Sequence, residues 1–148
     1  MANRRQPFKD DTEISELVSA FEKCAFHPSA FRHHQHLAVA LWYVSNFPCE
    51  EATERMKLGI RRLAETYGKT GYHETITIFW LKVVKEFFDH HHAAASLAEI
   101  ANQLANRYAD KTVISDYYSS GVIDSAQAKA EWVEPDLKPL DFSRRGGD

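Results

Sequence analysis

Apolar residues along this chain recur at helical spacing in a series of blocks divided by glycine, proline and polar turns. The first block, "DDTEISELVSAFEKCAF", sets Ile14, Leu17, Val18 and Phe21 on one face. Asp10, Asp11 and Glu13 lie at its start, where the helix dipole favours negative charge. Pro28 and its small neighbours break the pattern, and a second helix is expected from His33 to Val44, ended by "NFP". A third should begin near Pro48 and Cys49, with Met56, Ile60, Leu63 and Tyr67 as its stripe and Gly68 as its C-terminal cap. The fourth covers "HETITIFWLKVVKEFF". Its start is rich in β-branched residues, but Ile76, Trp80, Val83, Val84 and Phe87 line one helical face, with Thr75, Lys82 and Glu86 on the other. The fifth is "SLAEIANQLANRYA". One short turn is expected within "DKTVISDYYSSG", and Asp124 or Ser125 can cap a last short helix, "AQAKAEWV".

Short connections between these blocks suit antiparallel neighbours, so the expected fold is all-α: a single-domain bundle of about five main helices plus a short C-terminal helix. Residues 1–9 read as a flexible lead-in, 10–131 as the bundle and 132–148 as an extended, proline-broken tail. Trp132, Val133, Leu137, Leu140 and Phe142 make that tail apolar enough to pack across the bundle or onto a partner.

Composition narrows the function classes. At 148 residues the chain can bury a substantial core without disulfides or metal staples. A net charge of −3 and the scattered pairs Arg4–Arg5, Arg61–Arg62 and Arg144–Arg145 give no general pull toward nucleic acid. "LAVALWYV" is too short to cross a bilayer, and "MANRRQPFKDD" lacks an apolar signal region, so a cytoplasmic protein is expected. Cys24 and Cys49 are far from CxxC spacing and read as reduced thiols.

The chemistry lies in the histidines. On a helical wheel His33 and His36 extend the stripe of Leu37, Ala40, Leu41 and Val44 into the first turn of the second helix. Gln35 points away, and His34 sits on the flank. His73 shares the face of Ile76, Thr77, Trp80 and Val84 in the first turn of the fourth helix, with Glu74 at its edge. If helices two, three and four run up, down and up, His33, His36 and His73 meet at one mouth of the core, beside Tyr72 and Glu74.

Helix N-termini and partial burial both disfavour imidazolium, so these rings should be neutral near pH 7. Three nitrogens suit zinc or another divalent first-row metal. The first reading is therefore a metal-dependent small-molecule enzyme, with His33, His36 and His73 as ligands. Glu74 would serve as fourth ligand or general base, and Tyr72 or Thr77 would orient the substrate.

Two alternatives stand beside it. The mouth, with Trp80, Tyr72 and Tyr43, could hold a small ligand without chemistry. Alternatively, the histidines cap helices while the tail builds a homodimer. The "DHHH" run, Asp89 to His92, falls at the far end of helix four and reads as surface. HExxH is broken at Thr77, and no Glu-x-x-His pair, GxSxG, P-loop or GxGxxG occurs.

With "FRHHQHLAVALWYV", "GYHETITIFWLKVV" and "SAQAKAEWVEPDLKPLDF" in view, the chain resembles a group of small bacterial helical proteins. Their recurring pattern is F-x-H-x-x-H-L, then Y-H-E-T-I-T, then W-V-E-P-D-L, here Phe31 to Leu37, Tyr72 to Thr77 and Trp132 to Leu137. The resemblance spans most of the chain beyond residue 30 and implies an all-helical fold and a bacterial origin, but no reaction. It picks out His33, His36, His73 and Glu74 and leaves His34 outside the pattern.

Overall fold

The computed structural model describes residues 6–91 and 95–140. The five long helices are α1 (Asp11–Glu22), α2 (His33–Asn46), α3 (Cys49–Thr66), α4 (Glu74–His91) and α5 (Leu97–Arg107). Two short ones, α6 (Ser120–Ile123) and α7 (Ala126–Ala130), follow, and single 3-10 turns span Pro28–Ala30 and Lys111–Asp116. No strand occurs among the described residues, so the fold is all-α.

Local chemistry accounts for the boundaries. Asp10 caps α1 by accepting from the Glu13 N–H. Ser96 and Glu99 form a reciprocal capping box on α5, each side chain accepting from the other's N–H. Ser125 caps α7, which ends at Ala130 because the chain turns extended at Glu131. At the end of α3, Gly68 takes φ +66° while Lys69 N–H closes onto Ala64 O at 2.8 Å.

Helix α2 is the centre of the bundle and packs against α1, α3, α4 and α5. From Leu37 to Val44 every residue except Trp42 is buried. A helix apolar on nearly all sides has to be enclosed on nearly all sides. On α3, Gly59 meets Phe21 of α1 so closely that a Cβ would lie 2.2 Å from Cε2 of the ring. Only hydrogen fits there, and the missing side chain lets α1 and α3 approach.

Two departures from the expected pattern have physical causes. Phe8, within the expected flexible lead-in, is buried. Its N–H donates to Asn102 Oδ1 at 3.0 Å, and its carbonyl accepts from Asn102 Nδ2 at 2.8 Å. The amide of Asn102 thus satisfies the backbone group that accompanies the ring into the core.

Thr75, expected on the polar face of α4, is fully buried. Its hydroxyl donates to Glu131 O and accepts from Val133 N–H, so α7 and the chain after it cover that face. The described part of the tail lies on its own bundle, one of the two packings its apolar residues suit. Tyr118 Oη donates to Val133 O, Leu137 N–H to Tyr117 O at 2.9 Å, and Ser119 N–H to the Asp136 carboxylate. Leu140 packs on the core, Leu137 stays exposed, and Phe142 lies outside the described residues. No helix among the described residues is long and apolar enough to cross a membrane.

A candidate ligand cavity at the N-terminal turns of two helices

A cavity of about 1190 Å³ opens where the first turns of α2 and α4 meet. His33, His36 and Leu37 reach it from α2, Ile76, Thr77 and Trp80 from α4, and Tyr72 and His73 from the segment just before α4. Met56 and Ile60 of α3 and Lys111, Ile114 and Ser115 of the second 3-10 turn complete the wall. The structure therefore brings all three candidate histidines, with Tyr72 and Thr77, to one space.

Each histidine is held differently. His33 Nε2 lies 2.9 Å from Tyr108 O, and a carbonyl can only accept, so Nε2 carries the proton. Its ring meets the Trp80 ring edge-on with centroids 4.7 Å apart. Burial lowers its pKa against the opposing pull of the Tyr108 carbonyl, with the charge of Lys111 adding to the drop. Neutral His33 therefore keeps a lone pair on Nδ1.

His36 stacks on Phe31 with centroids 3.8 Å apart. Burial, then the neighbouring His33, pushes its pKa down to about 4, so it too is neutral at physiological pH. His73 has both nitrogens engaged: Nε2 donates to Ile123 O at 2.6 Å, and Nδ1 accepts from Ile76 N–H at 3.1 Å. It caps α4 and ties that helix to α6.

The carboxylate called on as ligand or base sits elsewhere. Glu74 is absent from the cavity wall and turns toward α3, where Oε2 is 2.7 Å from Lys57 Nζ and Oε1 is 3.6 Å from Arg61. Tyr72 Oη donates to Oε1 at 2.8 Å, and the Arg61 guanidinium lies 4.5 Å from the Tyr72 ring centre. Burial alone would raise the Glu74 pKa. The hydrogen bonds from Lys57 and Tyr72 and the charges of Lys57 and Arg61 outweigh it and hold the carboxyl below its ordinary range. At the first residue of α4 the carboxylate also complements the helix dipole.

Thr77 Oγ1 donates to His73 O within α4, and Tyr43, expected near the mouth, instead donates to Glu22 on the far side of α2. Both His73 nitrogens and His33 Nε2 are bonded to backbone groups. No group of three or more His, Cys, Asp or Glu side chains among the described residues could hold a metal ion.

Sequence reasoning missed the wall supplied by the 3-10 turn. Lys111 and Ser115 follow closely on Tyr108, whose carbonyl anchors His33, yet they are some 75 residues from it along the chain. "DKTVIS" carries no periodic signal that would place it there. Arg32, just before α2, also lines the cavity and could have been found by extending the wheel one residue back. No family model, curated protein or solved structure matches the chain.

Proposed function

We propose that the protein is a small-ligand-binding module whose ligand occupies the cavity between the first turns of α2 and α4. The observation that carries this reading is a half-open cavity of about 1190 Å³, apolar over much of its wall, with hydrogen-bonding side chains among its lining. That combination orients a ligand through a few polar contacts while its body is desolvated. Neutral His33 and His36, the Trp80 ring and the Tyr72 ring are the groups positioned to do so.

Binding is favoured over turnover because the side chains expected to perform chemistry are bonded to the fold. His73 caps a helix, and Glu74 is locked between Lys57, Arg61 and Tyr72. Thermal melting against a panel of small organic molecules tests the proposal. A ligand is expected to raise the melting temperature of the parent. It should leave unchanged that of Ile76→Trp, in which the larger side chain fills the cavity. A parent that no compound stabilises, or an Ile76→Trp protein stabilised equally, would count against the cavity as the site.

A further inference from the structure

We infer that the cavity's ligand is an organic monocarboxylate, its charged group held by the cavity-lining cations Arg32 and Lys111 and its apolar body against Trp80, Ile60 and Leu37. The inference rests on the cavity being the binding site and adds the charge of what enters it.

The charged side chains on the wall are Arg32, Lys111 and Asp110. Asp110 Oδ1 accepts from the Thr112 N–H at 2.8 Å and from the Thr112 hydroxyl at 2.6 Å. With Asp110 counted, two cations and one carboxylate give these side chains a net charge of +1, on a chain whose overall charge is −3. The acidic residue nearest in sequence to His73, Glu74, is turned out of the cavity by Lys57 and Arg61. A cationic ligand would meet two cations against the single carboxylate of Asp110.

Lys111 is also close to the imidazoles. Its charge acts on both His33 and His36, and it stands three residues beyond the Tyr108 carbonyl that His33 grips. Ser115, on the same 3-10 turn, supplies a hydroxyl to the wall. Leu37, Ile60, Ile76, Trp80 and Leu81 give the wall an aliphatic and aromatic area that suits an alkyl or aryl body and disfavours a second charge.

Calorimetric titration with octanoate, octanamide and octylamine separates the terms, since the three share a body and differ in the charge of the head. Octanoate is expected to bind most tightly and to weaken as salt is added. Lys111→Gln and Arg32→Gln should each reduce octanoate affinity by about fivefold, the scale of one partly exposed charge contact. Both should leave octanamide unchanged, and Lys111→Arg should restore octanoate. Both positions are exposed, so the variants are expected to melt as the parent does. Octanamide or octylamine binding as well as octanoate would overturn the anion assignment and leave the cavity reading standing. So would a Lys111→Gln protein that held octanoate undiminished. Failure of all three to bind, with the parent folded, would overturn both.

Discussion

The two ends of α4 carry histidines in opposite circumstances. At its start, His73 and the facing His33 and His36 of α2 line a half-open cavity, and burial depresses the pKa of His33 and His36. At its far end, some 27 Å away at 1.5 Å per residue, His90 and His91 bond back to their own helix. His90 Nδ1 lies 2.9 Å from Glu86 O, and His91 Nδ1 lies 2.8 Å from Phe87 O while its ring stacks on Phe87. His92 lies outside the described residues. The same residue type thus serves as a neutral cavity wall at one end and as an exposed helix terminator at the other. What differs is the helix end and the degree of enclosure.

Acid gives the largest contrast between the two ends. In the unfolded chain His36 should titrate near its ordinary 6.5, and in the fold near 4, so the unfolded state takes up the proton first. The stability that neutral His36 contributes is complete above pH 6.5 and is lost as pH falls through that window. The loss approaches roughly 3 kcal/mol at the acid limit. His33 acts in the same direction. Glu74, with its depressed pKa, adds a further loss below the ordinary carboxylate range. Urea midpoints measured across this pH range should fall steeply for the parent. His36→Leu should be flatter, whereas His90→Ala should follow the parent's slope; equal slopes in all three would remove the distinction.

A smaller effect separates the cavity histidines from one another. His73→Ala removes a helix cap and the link to Ile123, and should cost about 2 kcal/mol in denaturant unfolding. His73→Asn, which can still cap, should recover part of that. The smallest effect is expected at the far end. His90→Ala and His91→Ala should each change stability by about 0.5 kcal/mol or less, since both side chains are exposed. A cost at His91 matching that at His73 would erase the difference between the ends.

The helices were legible because their signals are local. Spacing of apolar residues, Asp10 before α1, Gly68 after α3 and Ser125 before α7 each act within a few residues. The convergence of His33, His36 and His73 was also within reach, since it follows from helix phase and an antiparallel order. Their roles were not. Whether His73 offers a nitrogen depends on Ile123, fifty residues later, and whether Glu74 faces the cavity depends on Lys57 and Arg61 of α3.

Sequence alone therefore determined that this chain is a helical bundle with imidazoles at the inner first turns of two helices, because periodicity and capping are short-range. Only the tertiary structure decided what those imidazoles do. It set His73 and Glu74 against backbone and ion-pair partners and brought Lys111 to the cavity wall. The physical reason is that a side chain's free nitrogen or carboxylate is defined by which donors and acceptors packing brings within about 3 Å, and those partners come from distant parts of the chain.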